Sequence, residues 1–244
     1  MRNETEKATV SPWRPLGLIA LGFCLIPLDG TIRQFFSSVR LGGDVLRELE
    51  LLQQFGDLAT TVLAMVIILM LDPLSLRDKA RRLADWGLAY GVVSAAAHAI
   101  KVLVGRPRPR FEDPLHAAGP LGQYPVVLKN GRTALIHSWD YSSGVASDLW
   151  SMPSSHAAAA GCMAAALAIL YPRLGWFCAA MATIVCIARV VLGAHYASDV
   201  LVGVGLGWWI GGTVVSARWG SGLIDFLRHP RAGSVGAESR PVGS

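Results

Sequence analysis

A few imidazole and carboxylate side chains lie at the ends of apolar runs in this 244-residue sequence. His195 and Asp199 are four residues apart, so on a helix they share one face. The carboxylate can then hold one imidazole nitrogen and leave the other as a free lone pair, which suits a nucleophile and its orienting group. His156 supplies a second imidazole that can protonate a leaving alkoxide.

Cationic side chains accompany these groups without a matching excess of carboxylates. Lys101, Arg108 and Arg189 together favour a dianionic ligand such as a phosphate group. Ser154 and Ser155, with the backbone N–H groups at the start of the following helix, add further donors. This set suffices for phosphoryl transfer through a phosphohistidine. It requires no metal or other cofactor, and the sequence shows no clustered Asp/Glu site that would bind magnesium.

The elements that must position these residues are apolar. Hydrophobic residues make up 52% of the chain and charged residues 16%, whereas soluble domains carry about 25% charged residues. This composition excludes an ordinary cytosolic enzyme and a disordered chain. It predicts an all-α fold, a bundle of six transmembrane helices at about residues 13–28, 58–71, 83–103, 157–172, 174–188 and 200–217.

Two connecting segments have patterns of their own. Residues 31–56 interleave apolar and charged residues, which predicts an amphipathic helix at the membrane surface. Residues 105–152 form a long outer loop between the third and fourth helices. Within it, Asn130-Gly131 lies between two apolar runs, a pattern typical of a tight hairpin over 124–139.

The distribution of basic residues sets the expected orientation. The net charge is +5, but the basic residues lie between apolar runs and not in one patch, which argues against nucleic acid and for membrane lipids as partners. The basic cluster at 77–82 favours a cytoplasmic side for that turn. We therefore expect a cytoplasmic tail at 1–12, a membrane domain at 13–217 and a cytoplasmic, disordered tail at 218–244. The site residues then meet at the non-cytoplasmic face, in a bacterial-type cytoplasmic (inner) membrane.

Other polar and small residues have less specific interpretations. Arg106 and Arg110 are expected to be solvated loop residues or headgroup contacts. Gly203, Gly207 and Gly211 recur every four residues, which predicts close helix packing inside the bundle, with a homodimer interface as the alternative. The four cysteines lie in apolar runs without a CxxC pair and are interpreted as packing residues.

The order and spacing of the site residues resemble the three-part signature of the type 2 phosphatidic acid phosphatase superfamily. The matching pieces are Lys101 with Arg108-Pro109, then Pro153-Ser154-Ser155-His156, then Arg189 with His195 and Asp199. The sequence departs from the family pattern at Ser155, where the family usually has Gly, and at Ala188, where it usually has Ser.

The resemblance implies a role for each matching residue. Lys101, Arg108 and Arg189 would bind phosphate, His195 would be the nucleophile oriented by Asp199, and His156 would be the general acid. Membrane members of the superfamily are six-helix lipid phosphatases. The expected activity is hydrolysis of a lipid phosphomonoester or pyrophosphate, on phosphatidic acid, phosphatidylglycerol phosphate, an isoprenoid pyrophosphate or a lipid A type substrate. A lipid phosphotransferase using the same site and a non-catalytic lipid-binding protein are the alternatives.

Overall fold

The computed structural model describes residues 11–39 and 41–228, and within them the chain is predominantly helical. The helices are α1 (Trp13–Leu25), α2 (Asp29–Ser38), α3 (Gly43–Leu52), α4 (Leu58–Leu71), α5 (Leu76–Val104), α6 (Ser155–Leu170), α7 (Gly175–Val191), α8 (Ala197–Ser216) and α9 (Trp219–Arg228). Two short strands, β1 (Tyr124–Val127) and β2 (Thr133–Ile136), lie in the long connection between α5 and α6.

Several of these helices are long and apolar enough to cross a membrane. Four stretches meet this condition, at Trp13–Ser38, Leu76–Val104, Pro172–Val191 and Ala197–Ser216. The pair Gly43–Gly56 and Leu58–Leu71 is bent by 63° and makes a fifth if it counts as one span. Helix α6 is shorter, with 16 residues, whereas a full span needs about 20. The protein is therefore an integral membrane protein with four or five candidate spans among the described residues, while six remains a prediction.

The segment 31–56 differs from the single surface helix expected from the sequence. Its first part belongs to α2, which continues the first apolar helix to Ser38, and α3 begins only after the break at Gly42. The continuation is possible because Asp29, at the start of α2, is fully buried and accepts a hydrogen bond from the Ser198 backbone N–H at 3.0 Å. A carboxylate that is hydrogen-bonded in this way can be buried within a continuing helix.

The C-terminal segment also differs from the expected disordered tail, because residues 219–228 form α9. This helix is held against α5. The Ser221 N–H donates to Asp85 Oδ1 at 2.7 Å, and Arg81 pairs with Asp225 at 2.6 Å. Gly220 allows the approach, since a side chain there would overlap the backbone of Ala84. Residues 229–244 of the predicted tail, and residues 1–10 of the N-terminal one, lie outside the described residues.

Small residues let α8 pack closely against α6. A methyl group on Gly207 would overlap the Ala158 carbonyl, and one on Gly203 would lie 2.6 Å from the Ser154 carbonyl oxygen. One on Gly211 would lie 2.7 Å from the sulfur of Cys162. The prediction that this glycine stripe serves packing inside the bundle is confirmed.

The loop between α5 and α6 contains the predicted hairpin. Strands β1 and β2 pair antiparallel, with Tyr124 opposite Ile136. Gly131 has a φ of +80°, a conformation that glycine adopts without strain. The hairpin and the residues around Leu149 enclose a small second core. The Ser138 hydroxyl donates to the Val102 carbonyl oxygen at 2.5 Å, which holds this loop at the end of α5.

Candidate active site

The predicted site residues come together at one end of the bundle. Lys101 lies in the last turn of α5, and Arg189 in the last turn of α7. His156 lies in the first turn of α6 and Asp199 in the first turn of α8. Because α5 and α7 approach this end while α6 and α8 leave it, residues far apart in the sequence share one cluster. Lys101, Arg108 and Arg189 are all within electrostatic reach of His156.

The His195 imidazole is oriented mainly by a backbone carbonyl. Its Nδ1 lies 2.8 Å from the Ser151 carbonyl oxygen and 3.7 Å from Asp199 Oδ2. A carbonyl only accepts, so Nδ1 carries the proton and Nε2 carries the lone pair. The direct Asp199–His195 hydrogen bond expected from the i, i+4 spacing is replaced by this contact. In the described part of the chain, Nε2 has no hydrogen-bond partner.

His195 lies between the apolar helices and is 2% exposed. Burial lowers the pKa of His195 to about 3, with Lys101 and Arg108 lowering it further and Asp199 acting in the opposite direction. The ring is therefore neutral at ordinary pH. A neutral imidazole with its proton held on Nδ1 presents a nucleophilic nitrogen.

Ser151, which the sequence analysis did not identify, connects His195 to Asp199. Its carbonyl accepts from His195, and its hydroxyl donates to Asp199 Oδ2 at 2.5 Å. Asp199 Oδ2 also accepts from the backbone N–H of Tyr196 at 2.9 Å. Asp199 thus contacts the His195 imidazole indirectly, through Ser151, as well as acting on it by its own charge.

Arg106 is a buried residue of this site, so its interpretation as a solvated or headgroup-contacting residue is wrong. Its guanidinium donates to Asp199 Oδ1 at 2.6 Å and to Asp29 Oδ2 at 2.7 Å, and its side chain is 3% exposed. Burial opposes its charge, but Asp199 and Asp29 outweigh burial and raise the pKa of Arg106. By contrast, Arg110 is 60% exposed and pairs with Asp148.

Asp29 is the signal that could have identified this network from the sequence. It is an isolated carboxylate directly after an apolar run, and such a charge at membrane depth is costly without a partner. Ser198 connects two members of the Asp29–Arg106–Asp199 triad, because its hydroxyl accepts from Arg106 at 2.7 Å and donates to Asp29.

The three cations proposed to bind phosphate have no carboxylate partner among the described residues. Lys101 Nζ donates to the Trp150 carbonyl oxygen at 2.6 Å, and Arg108 Nε to that of Ser147 at 3.0 Å. Arg189 donates to Gln53 Oε1 at 2.6 Å, while its buried Nε has no partner in this part of the chain. Their positive charge is therefore left for an anionic ligand.

The two serines before His156 have different surroundings. Ser154 is fully buried, its hydroxyl accepts from the Ala157 N–H at 3.4 Å, and its own N–H donates to the Asp199 carbonyl oxygen at 3.0 Å. Ser154 therefore caps and positions α6, while its predicted contact with phosphate stays a prediction. Ser155 is exposed at the start of α6 and remains available to a ligand.

The turn between α3 and α4 (Gln53–Gly56) forms a wall of the site that the sequence analysis missed. Gln53 holds Arg189, and Gly56 lies so close to the His156 carbonyl that a side chain would overlap it. Among residues 11–39 and 41–228, no group of three His, Cys, Asp or Glu side chains could hold a metal ion.

Comparison with known proteins agrees with this geometry. The family model described as the PAP2 superfamily matches residues 82–222. The chain is 30% identical over 186 residues to a lipid A 1-phosphatase of Rhizobium etli, covering 70% of this chain and 71% of the relative. A lipid A 1-phosphatase of Rhizobium johnstonii matches at the same identity, over 70% of this chain and 68% of the relative.

A solved structure shares the fold. It is the transmembrane PAP2 type phosphatidylglycerolphosphate phosphatase of Bacillus subtilis, with a TM-score of 0.55 and 20% sequence identity. The match covers 84% of this chain and 95% of that one. With more than half of its length matched by the family model, this chain belongs to the PAP2 superfamily.

Proposed function

We propose that this protein is an integral-membrane lipid phosphatase that acts through a phosphohistidine. The observation that carries the proposal is the cluster around His195. A buried, neutral imidazole with a free Nε2 shares this end of the bundle with three cations that form no ion pair in the described part of the chain, and two of them, Lys101 and Arg108, are within its electrostatic reach. Such a cluster binds a phosphate group and presents it to a nucleophile.

The reaction then proceeds in two steps. His195 Nε2 forms a bond to phosphorus while the bond to the leaving oxygen breaks, and His156 gives its proton to that oxygen. Water next attacks phosphorus and passes a proton to His156 as the P–N bond breaks, which releases phosphate and restores neutral His195 and protonated His156. Lys101, Arg108 and Arg189 stabilise the charge on the three oxygens that stay on phosphorus.

The proposed membrane arrangement has six helices, with α6 as a short span and the bent pair α3–α4 as another. The active site lies at the non-cytoplasmic face under the 105–152 loop, and both termini are cytoplasmic. Helix α5 contains Arg77 in its first turn and Lys101 in its last, so the two side chains start about 36 Å apart along the helix axis. Basic residues at that opposite end, including Arg77 and Arg81, support its cytoplasmic location.

The substrate class is a lipid whose phosphate reaches the outer face. Since the curated relatives include lipid A 1-phosphatases, a lipid A type 1-phosphate is the first substrate to test. Phosphatidic acid, phosphatidylglycerol phosphate and an isoprenoid pyrophosphate complete the panel. Release of inorganic phosphate, measured with and without an acceptor alcohol, separates hydrolysis from transfer.

The test compares the wild type with His195→Ala in detergent, with and without EDTA. We expect phosphate release from at least one substrate, its loss in His195→Ala, and no effect of EDTA. His116→Ala is the matched control, because His116 lies in the outer loop with 38% of its side chain exposed. Full activity of His195→Ala would overturn the mechanism, and complete inhibition by EDTA would indicate a metal enzyme.

A further inference from the structure

A small cavity of about 120 Å³ adjoins His156 between α4, α5 and α6. Its apolar walls come from Gly56, Val93, Ala97, Ala158 and Ala159, and its polar lining from Asp57, Tyr90, Ser94, Ser155 and His156. Pockets for whole small-molecule ligands measure about 300–1,000 Å³, whereas this one has room for about four water molecules. It therefore suits a small polar part of a substrate and not a lipid chain.

Asp57 is a charged residue of this cavity, and the described part of the fold gives its side chain no structural role. It occupies the N-cap position of α4, yet its side chain makes no capping hydrogen bond. Within the described residues its half-buried carboxylate makes neither a hydrogen bond nor an ion pair, although it is within electrostatic reach of His156. A carboxylate in such a place costs free energy unless it accepts a hydrogen bond.

We propose that this cavity is a leaving-group pocket, in which Asp57 accepts a hydrogen bond from a hydroxyl group of the departing alcohol. The inference rests on the proposed function, because it uses His156 as the acid that protonates the leaving oxygen. The alcohol carrying that oxygen must then lie next to His156, where the cavity is. The hydroxyls of Tyr90 and Ser94 add two more partners for a polyol or sugar.

The distribution of charge narrows the substrate class further. The cationic side of the site, with Lys101, Arg108 and Arg189, receives one phosphoryl group. The leaving-group side carries the Asp57 carboxylate instead, and this charge repels a second phosphate. The enzyme should therefore prefer phosphomonoesters of hydroxyl-bearing alcohols over pyrophosphates, whose leaving group is itself an anion.

Three substrates with one alkyl chain test this inference. They are 1-O-dodecylglycerol 3-phosphate, its 2-deoxy analogue 3-dodecyloxypropyl phosphate, and dodecyl pyrophosphate. The first two differ by a single hydroxyl next to the leaving oxygen, and the third has an anionic leaving group. For the wild type we expect kcat/KM to be about tenfold higher with the hydroxyl than without it, and lowest for the pyrophosphate.

Asp57→Asn removes the charge at constant volume. It should lower the ratio of kcat/KM with the hydroxyl to kcat/KM without it to about threefold or less. It should also raise kcat/KM for the pyrophosphate by about threefold or more. Asp44→Asn is the matched control, since the Asp44 carboxylate on α3 is 97% exposed, and it should change neither ratio. Tyr90→Phe provides a second variant, which should narrow the hydroxyl preference and leave the relative rate on pyrophosphate unchanged.

The outcomes separate this inference from the function on which it rests. A wild type inactive on every lipid phosphate would overturn the proposed function itself. An active wild type without preference among the three substrates would overturn the leaving-group pocket alone. An equal fall in kcat/KM on all three substrates in Asp57→Asn would also overturn the leaving-group pocket, because Asp57 would then act through His156 or through the fold.

Discussion

Replacing Arg106 by methionine should destabilise the protein and slow catalysis together. Arg106 is the cation between two buried carboxylates, Asp29 and Asp199, with contacts of 2.7 and 2.6 Å. Methionine keeps most of the side-chain volume but removes the charge and every donor. Both carboxylates then remain buried with neutral donors only. Asp199 keeps the Ser151 hydroxyl and the Tyr196 N–H, and Asp29 keeps the N–H and hydroxyl of Ser198.

The magnitude follows from the burial of the triad. Arg106 is 3% exposed and both aspartates are fully buried, so water cannot replace the lost partner. Removing one partner of such a buried ion pair costs about 3–5 kcal/mol. For a chain of this size, each kcal/mol lowers the thermal midpoint by about 2–4 °C, which predicts a fall of about 6–20 °C. A displaced Asp199 also misplaces Ser151 and His195, so kcat/KM should fall about 10- to 100-fold.

The assay is thermal unfolding of the purified protein in one detergent, together with phosphate release at a temperature where all variants are folded. Arg47→Met is the matched control, because Arg47 is 79% exposed in its pair with Asp44. Such a surface pair contributes about 0–1 kcal/mol, so this variant should keep its midpoint and its activity. Adding Asp29→Asn to Arg106→Met should recover part of the stability, since it removes one unpaired charge.

Two results would refute this reasoning. If Arg106→Met unfolds within about 2 °C of the wild type, the triad does not have the buried charges that the structure assigns to it. If Asp29→Asn and Arg106→Met lower stability independently, with effects that add, the two side chains are not energetically coupled.

Three further changes have defined outcomes. Gln53→Leu removes the acceptor that holds Arg189 at 2.6 Å and should lower kcat/KM about tenfold, mainly through KM. The His195 pKa of about 3 lies below the unfolded value of about 6.5, so below pH 6.5 the unfolded chain binds the proton more readily. The His195 contribution to stability should fall there by about 1.4 kcal/mol per pH unit toward pH 3, so the thermal midpoint of His195→Gln should depend less steeply on pH than that of the wild type. Gly207→Ala places a methyl group in the backbone of α6 and should destabilise the bundle strongly, measured by the same unfolding assay.

Matched control variants distinguish these specific effects from a general loss of folding. Gln54→Leu should leave KM unchanged, because the Gln54 side chain is exposed and makes only a 3.5 Å contact with the Glu50 carbonyl. Gly91→Ala, inside α5 with no heavy atom within 4 Å of the added methyl, should not destabilise. A Gly207→Ala protein as stable as Gly91→Ala would contradict the close approach of α6 and α8. A pH dependence of stability as steep in His195→Gln as in the wild type would contradict the burial of a neutral His195 imidazole.

Local sequence patterns were sufficient to predict much of the scaffold. The apolar run at 58–71 forms α4 with the predicted boundaries, and the Asn130-Gly131 pair forms the predicted turn. Both features depend on neighbouring residues alone, on hydrophobicity in the first case and on backbone freedom in the second. Successive helices that cross the bundle in opposite directions then place Lys101, His156 and Arg189 at one end.

Predictions that depended on one charged residue were less successful. Arg106 lies two residues before Arg108 in the same basic segment, and the sequence does not distinguish the buried cation from the ligand-binding one. The segment 219–228 likewise lacks a long apolar run, so its docking on α5 through Asp85 and Arg81 was missed.

The sequence by itself determined that this is a helical membrane protein with a phosphate-directed set of cations and imidazoles, because composition and short spacings record those properties directly. Only the tertiary structure decided how that set is held. Asp29 and Arg106 are 77 positions apart, and Gln53 and Arg189 are 136 positions apart. Once the helices pack, a buried charge or donor that has lost its contact with water is stable only if it meets a partner. This contribution to the free energy of folding arises only in the folded bundle, so local sequence does not reveal it.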